Sequence, residues 1–501
     1  MTNADENPSL KWWVLATVIV GTFLGRIDQN IVNLALPKMI SDFGITVSTA
    51  GWIATAYILA NAIFVPIWGK LGDTIGRKKI YVLGFSIFIF GSVLAGFAWD
   101  FGSMIVFRII QAIASSADYP TAMAILAVTF PAGKERAQAL GIWSSSFAAA
   151  SVFGPLIGGP MIDMFGWRSV FLINLPVGLI GLAMALTFIH ESTSEKKTVV
   201  FDWWGATTLG IVLSAMVLVL DKGMDWGWLS VNSLLCYGTI AAFSWIFYTI
   251  ERDHAEPIID LKFFTIPLFV NALANNFIMF VGLMGSIFLI PIFAQTFLGY
   301  NATQTGMLFI PMAIGLMLAA PIGGSLIGRV RANIVIFWST LGAALAIYLY
   351  TFIDAKSTVF ELSIPLAIMA LTMGFGMAQR TAVVAAAVPQ SEIGIASAIL
   401  ALVRNTAGAF GIALFGTILQ YSEKTRVLSI AQNSIIRSHD PEVIRQGVAL
   451  IELKAQVAAY SDVFLIASIL VAIGAFAALF MKLDHDLPMT QEQEEKLLMA
   501  E

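Results

Sequence analysis

The chain has 501 residues, of which 58% are hydrophobic and 12% charged, and its mean hydropathy is +0.83. This apolar surplus exceeds what a water-soluble domain buries and calls for lipid around it, which excludes an ordinary soluble enzyme. The net charge of -4 gives no basic field for nucleic acid, the single cysteine Cys236 excludes an internal disulfide framework, and His190, His254, His439 and His485 are scattered without metal-ligand spacing.

A helix crosses a bilayer with about 20 apolar residues, because each backbone group must find its partner inside the segment. The first such stretch follows Trp12 and Trp13, runs past 20 residues and carries charges, so it reads as a retained span rather than a cleaved signal. Spans are predicted near 12 to 36, 50 to 69, 80 to 98, 103 to 129, 137 to 161, 167 to 189, 203 to 220 and 230 to 250. A second series follows near 268 to 297, 304 to 328, 332 to 352, 358 to 384, 397 to 420 and 462 to 481. These fourteen spans, an even number, place both termini on one side.

Loop charge sets the orientation. With the N-terminus inside, the inner segments hold most of the Lys and Arg, among them Lys70, Arg77, Lys78, Lys79, Lys134 and Arg136, whereas the short outer loops hold only Lys38, Arg168, Lys222 and Lys356. Both termini are therefore expected in the cytoplasm of a cell whose cytoplasmic membrane holds the protein. The stretch from Tyr421 to Tyr460 is expected outside, as a long loop able to form amphipathic helices. No soluble catalytic domain is visible, and no Gly-x-x-x-x-Gly-Lys-Ser loop supplies ATP drive.

Two motifs stand out. GKLGDTIGRKK, from Gly69 to Lys79, packs two small residues, an acid and a basic cluster into a tight turn after the second span. A positive-inside bias asks for bases but not for Asp73 or the ordered Gly69 and Gly76. In the fifth span, GPLIGGP, from Gly154 to Pro160, interrupts an apolar helix with small residues, which allow close helix approach, and with prolines, which bend a helix.

The first motif resembles the signature loop of the major facilitator superfamily, and the order Gly154, Pro155, Gly158, Gly159 resembles its antiporter motif. IVNLALP at the end of span one, FDWWG from Phe201 to Gly205 and PIIDLKFF from Pro257 to Phe264 are similar to the fourteen-helix drug:proton antiporter branch. The resemblance implies an all-α membrane fold of two six-helix bundles around a central cavity: residues 1–190, two inserted helices within 191–262, and residues 263–485 including the loop 421–460, with 486–501 as a cytoplasmic tail. It implies a cytoplasmic latch in which Gly69, Asp73, Gly76 and Arg77 take part. It implies no cofactor, protons and a small molecule as partners, and a monomer surrounded by lipid.

An ionisable side chain at mid-membrane costs at least about 2.5 to 3.5 kcal/mol on insertion scales, so it faces a partner or a wet cavity. Arg26 and Asp28 lie deep in span one, and Arg108 and Asp118 in span four; Arg380 and Arg404 lie nearer the cytoplasmic ends of spans twelve and thirteen. At 1.5 Å per residue, Arg26 and Asp118 fall within roughly 3 Å of the midplane on opposite sides, and Asp28 and Arg108 fall roughly 6 and 12 Å outside it. In the family these helices are neighbours, which gives two expected pairs, Arg26 with Asp118 and Asp28 with Arg108. Asp28 and Asp118 are the candidate proton-coupling residues. The competing reading makes both pairs structural. Asp28, Arg108 and Gln111 follow the family pattern, whereas Arg26 and Asp118 depart from it, and Arg26 favours anionic or zwitterionic cargo.

The expected substrate cavity draws on Trp52, Gln111, Trp143, Asn271, Asn275, Asn276, Gln379, Arg380 and Arg404; amides at this depth serve equally well as interhelical ties. Three functions remain in play: a proton-coupled exporter of amphipathic small molecules, an exporter of one anionic or lipid-like substrate, and a membrane sensor or scaffold that does not transport.

Overall fold

In a computed structural model of the chain, residues 10–130, 134–192, 202–254, 259, 261–327, 329–388, 393–434 and 440–481 are described. Among them every regular element is a helix. The chain divides into two compact units, Met1–Ile259 with Pro291–Ile310, and Asp260–Ile290 with Pro311–Glu501.

Unit 1 contains α1 (Leu10–Phe43), α2 (Val47–Ile75), α3 (Arg77–Gly96), α4 (Phe101–Ser115), α5 (Asp118–Thr129), α6 (Lys134–Phe165), α7 (Ser169–Leu172), α8 (Asn174–Phe188), α9 (Trp203–Trp226) and α10 (Val231–Asp253). It also takes the end of α11 (Pro267–Phe297) and all of α12 (Ala302–Met307). Unit 2 holds the start of α11 together with α13 (Ile310–Ser325), α14 (Ala332–Leu349), α15 (Val359–Ala386), α16 (Ile393–Asn433) and α17 (Pro441–Ala478).

Polar residues begin the helices where the sequence breaks its apolar runs. The Thr46 side chain accepts from the Thr49 amide at the start of α2, and Asp100 and Ser103 exchange side-chain and backbone bonds as a capping box on α4. The signature turn has a backbone reason for its second glycine. Gly76 takes φ +129°, a conformation L side chains rarely adopt, and its amide donates to the Gly72 carbonyl to end α2 before α3 begins at the next residue.

Twelve helices among the described residues are long and apolar enough to cross a membrane. The expected count of fourteen is therefore not confirmed. The two expected spans outside the twelve have identifiable places. The span at 103–129 is broken at Ser116 and Ala117 into α4 and α5, and the span at 137–161 lies inside α6, which carries Pro155 and Pro160. The stretch 421–460, expected as a long loop able to form amphipathic helices, is largely helical among the described residues, since α16 runs on to Asn433 and α17 starts at Pro441. The tail 486–501 lies outside the described residues.

In unit 1, α1 packs on α5, α6 and α8, while α3 packs on α4 and α8. The α1, α3, α5, α6 seam buries Val14, Leu15, Val18, Tyr81, Leu126 and Trp143 as one apolar cluster. Helix α9 packs on α2 and α10 packs on α9. Only 11% of the most apolar stretch of α10 is buried, against 72% for α11, so α10 presents its length to lipid and α11 does not. In unit 2, α14 packs on α15 and α17, and α16 on α17, with Tyr350, Phe415, Phe464 and Val471 fully enclosed.

The small residues of α6 are packing devices on two sides. A Cβ on Gly158 would stand 2.6 Å from Ile31 of α1, and one on Gly159 would stand 2.5 Å from the Cα of Thr303 in α12. Gly154 faces Asn30, and Pro155 turns its carbonyl toward Gly306. One turn on, Asp163 accepts from the amides of Ala302 and Thr303 at 3.0 and 2.9 Å and from the Thr303 hydroxyl at 2.6 Å. Backbone meets backbone here, so no side-chain rotation makes room.

Gly159→Val is expected to lower stability in detergent by about 1 to 3 kcal/mol through overpacking, whereas Gly238→Ala, at a helix position with open space, should be neutral or stabilising by up to about 1 kcal/mol. Thermal unfolding of the two variants decides it; equal midpoints would mean the α6–α12 contact yields freely.

Candidate functional site

The polar interior of unit 1 consists of two neighbouring centres. In the first, Arg108 of α4 donates through Nη1 to Asp28 Oδ2 of α1 at 2.7 Å, and both residues are 1% exposed. Asp28 Oδ1 accepts from Gln111 Nε2 and from Asn174 Nδ2, each at 2.9 Å, and Asn174 also donates to the Ser92 hydroxyl at 2.9 Å. Gln111 Oε1 accepts from Arg108 Nη1 at 2.5 Å. The Tyr57 ring lies 4.1 Å under the guanidinium. Helices α1, α4 and α8 thus meet on one carboxylate whose two oxygens are both bonded, and α3 joins them through Ser92, which accepts from Gln111 and Asn174. The expected pairing of Asp28 with Arg108 is the geometry found. Ser92, Asn174 and Tyr57 complete it; as single polar residues in apolar helices they carried no spacing signal.

The second centre surrounds Asp118, the first residue of α5, immediately after the break from α4. Its Oδ2 accepts from the Thr22 hydroxyl at 2.8 Å, and Thr22 in turn accepts from Trp143 Nε1 at 3.0 Å. Asp118 Oδ1 is buried with no hydrogen-bond partner. A carboxylate oxygen left this way is an acceptor held in reserve, costly when ionised and satisfied once a proton or a water arrives. Beside it lies a cavity of about 50 Å³, lined by Thr22, Arg26, Gln29, Tyr81, Asp118 and Tyr119, with room for a few waters. Tyr57 lines this cavity and also lies under the Arg108 guanidinium, so its ring borders both centres.

Arg26 and Asp118 do not form the bond expected of them. Arg26 Nη1 donates to Gln29 Oε1 at 3.2 Å and reaches Asp118 through its charge, across the cavity both residues line. Gln29 lies one turn along α1 from Arg26, close enough to take the guanidinium before it crosses the cavity.

The remaining predicted residues fall in three other places. Trp52 lies at the α2–α9 contact, where its Nε1 donates to Asp221 Oδ2 at 2.7 Å and the Ser48 hydroxyl donates to the other oxygen. Asp221, which the sequence did not single out, is 2% exposed and ties α9 to α2. At the signature turn, Gly69 packs near Pro120, the Arg77 amide donates to the Ser192 carbonyl at 3.0 Å, and Glu191 accepts from the Lys78 and Lys79 amides at 3.1 and 3.2 Å. Glu191 thereby places an acid on the N-terminus of α3. The side chain of Asp73 lies outside the described residues.

In unit 2, Arg380 of α15 is 1% exposed and donates to Asn275 Oδ1 at 2.7 Å, Ser339 Oγ at 3.0 Å and Thr340 Oγ1 at 2.7 Å. Arg404 of α16 donates to Asn276 Oδ1 at 3.2 Å and Thr381 Oγ1 at 3.0 Å, with its guanidinium 5.4 Å from the Phe280 ring. Gln379 is fully buried and donates to the Gly323 carbonyl at 3.4 Å, and Asn271 lies partly buried one turn before Asn275. Groups of three or more metal-ligating side chains are absent among the described residues.

Breaking the Asp28–Arg108 pair from one side leaves a buried charge, so Arg108→Ala is expected to destabilise by about 3 to 5 kcal/mol. A double-mutant cycle on thermal unfolding should give a coupling energy of about 2 to 3 kcal/mol for Asp28 with Arg108, and under about 1 kcal/mol for Arg26 with Asp118. Equal couplings would mean that Arg26 holds Asp118 as tightly as Arg108 holds Asp28.

Comparison with known proteins agrees with this architecture. Multidrug resistance protein Stp of Mycobacterium tuberculosis (strain CDC 1551 / Oshkosh) is 29% identical over 400 residues, 80% of this chain and 74% of its own length. Multidrug transporter protein MdtP of Bacillus subtilis (strain 168) is 32% identical over 426 residues, 84% of this chain and 77% of its own. Riboflavin transporter RibZ of Clostridioides difficile (strain 630) is 28% identical over 456 residues, 88% of this chain and 96% of its own. The fold matches the crystal structure of a bacterial homologue of the human lysosomal transporter Spinster, in an inward-facing and unoccupied conformation, with a TM-score of 0.67 at 18% identity over 95% of this chain and 99% of that one. The family model of the Major Facilitator Superfamily matches residues 18–412, and the chain is a multi-pass membrane protein that belongs to that superfamily.

Proposed function

We propose that the protein is a proton-coupled antiporter that exports amphipathic small molecules by alternating access, a transporter rather than an enzyme, from the cytoplasmic membrane with both termini inside. The observation that carries the reading is the pair of unlike carboxylates in unit 1. Asp28 has both oxygens bonded, whereas Asp118 has one oxygen open beside a cavity that admits water.

A carboxylate in a dry environment holds its proton, and a neighbouring cation favours its release. Asp118 has both settings within reach. With Oδ1 buried and unbonded it takes a proton that arrives through the cavity; when Arg26 turns from Gln29 toward it, the proton leaves. Asp28 enters the cycle only if Arg108 lets go, so in this scheme it keeps the frame and Asp118 carries the proton. One inward proton contributes about 2.3 kcal/mol per 100 mV, enough for roughly a fiftyfold substrate gradient.

The reading counts fourteen crossings, with α4 and α5 as one broken span and α6 as another. It assigns residues 1–190 and 263–485 to the two bundles and 191–262 to the inserted helices. Gly69, Asp73, Gly76 and Arg77 act as the cytoplasmic latch, and the α6 motif favours antiport. Relatives named as multidrug transporters support efflux of many compounds. Arg26 on the cavity wall supports a second reading, one anionic cargo, and a relative of similar identity is named for riboflavin alone.

In proteoliposomes with an imposed inward proton gradient, Asp118→Asn should abolish uphill accumulation of rhodamine 6G while keeping downhill exchange. Uphill transport at the wild-type rate in that variant would remove Asp118 from coupling, and no transport by the wild type with any dye would favour a sensor or scaffold.

A further inference from the structure

Two polar groups in unit 1 each lack what the other carries. Tyr81 of α3 is 2% exposed, and its hydroxyl donates to the Thr17 carbonyl of α1 at 3.4 Å, longer than the roughly 2.5 to 3.0 Å of a good bond between oxygens. That carbonyl lies inside α1, where the helix supplies an amide donor four residues on, so it does not depend on Tyr81. Asp118 Oδ1 is buried with no hydrogen-bond partner. Inside a membrane bundle a poorly bonded donor and an unbonded acceptor are both costly, and each would satisfy the other.

Gly21 brings them to the same gap. A Cβ on Gly21 would stand 2.1 Å from the Tyr81 hydroxyl oxygen, 3.2 Å from the ring carbon that bears it and 3.3 Å from Asp118 Oδ1. The hydroxyl and the carboxylate oxygen therefore both border the space that a side chain at residue 21 would fill, and they are no further apart than those two distances laid end to end. Gly21, Tyr81 and Asp118 all line the cavity of unit 1, and the charge of Asp118 acts on the phenol. The other titratable or charged groups on that cavity come from the elements packed around α5 and from α5 itself. They are Arg26 of α1, which donates to Gln29, Tyr57 of α2, which donates to Ser115 at 2.7 Å and carries Arg108 on its ring, and Tyr119 of α5. From α6 the neutral Trp143 reaches Asp118 through Thr22.

We propose that Tyr81 is a positioning residue for the proton site at Asp118: its hydroxyl turns from the Thr17 carbonyl to Oδ1 when the proton leaves, and Gly21 keeps the gap open for that exchange. The step needs no further reactant. With Oδ1 protonated, the carboxyl is neutral and Tyr81 stays on Thr17. When that proton passes to a water of the cavity, the carboxylate carries a full charge, and the Tyr81 O–H, which keeps its own proton throughout, swings to Oδ1 as a charge-assisted donor. A proton returning from the cavity to Oδ1 sends the hydroxyl back to Thr17. Because this bond is made with the ionised form alone, it eases release of the proton. The inference rests on the export reading for the use to which the proton is put, and adds the group that sets how tightly it is held.

The test titrates the full-length protein, purified in non-ionic detergent, by infrared difference spectroscopy. The carboxylic acid band that Asp118→Asn removes reports the proton on Asp118 directly, with neither cargo nor gradient present. In Tyr81→Phe, which keeps the ring stacked on Phe85, the midpoint of that band should rise by about one pH unit, a proton held about tenfold more tightly once the donor to the ionised form is gone. The pH profile of uphill rhodamine 6G transport in proteoliposomes should move the same way. Gly21→Ala alone should lower the unfolding temperature, because its Cβ meets the hydroxyl at 2.1 Å. Gly21→Ala combined with Tyr81→Phe should recover much of that loss, since the nearest remaining contacts are at 3.2 and 3.3 Å. A Tyr81→Phe midpoint equal to that of the wild type overturns the inference whatever the variant's stability, and so does a double variant no better folded than Gly21→Ala. A shifted midpoint together with full uphill transport by Asp118→Asn would keep the role of Tyr81 and remove Asp118 from export. An Asp118 band that does not titrate removes both.

Discussion

The bond between Asp28 and Arg108 fixes how α1, α3, α4 and α8 meet. Arg108 is buried where an uncompensated charge would cost several kcal/mol, and Asp28 is buried with it, so neither side chain has a stable position without the other. Once the pair forms, its remaining valences must also be filled, and this draws in Gln111, Asn174 and Ser92. Lipid offers no hydrophobic drive between helices, so a satisfied polar knot of this kind and the close approach of small residues are what hold unit 1 together. The α6 contacts at Gly158 and Gly159 are the second half of that account.

The same constraint makes the neighbouring centre different in kind. Asp118 follows a helix break, so its carboxylate is presented at the start of α5 rather than along a packed face. Thr22 and Trp143 hold one oxygen, and the other is left for whatever enters the cavity. The surroundings of the two carboxylates are opposite: Asp28 has both oxygens bonded, and Asp118 has one left open. Tyr57, which stacks under Arg108 and also lines the cavity, borders both.

In unit 2 the balance of charge is reversed, with Arg380 solvated by an amide and hydroxyls alone. Relatives at 28 to 32% identity are named for many drugs or for a single vitamin, so identity at this level settles the family and leaves cargo to individual side chains.

Composition and period made the membrane class, the helical fold and the rough positions of the spans legible, because twenty apolar residues have one stable backbone arrangement in lipid. Gly69–Lys79 and Gly154–Pro160 were legible as motifs because a positive φ at Gly76 and backbone contact at Gly159 leave no other residue an easy fit. The depths of Asp28 and Arg108 along their helices, with the adjacency of those helices taken from the family resemblance, paired them. Depth did not decide Arg26 and Asp118, because rise along an axis says nothing of rotation about it, and Gln29, one turn away, takes the guanidinium first. Trp52 likewise belonged to the cavity by depth and to Asp221 of α9 by rotation. Asn174, Ser92 and Glu191 had no signal at all, since their roles exist only where helices distant in sequence converge. Sequence sets which charges must be buried; the tertiary structure decides which of them are neutralised, and which keep an open valence.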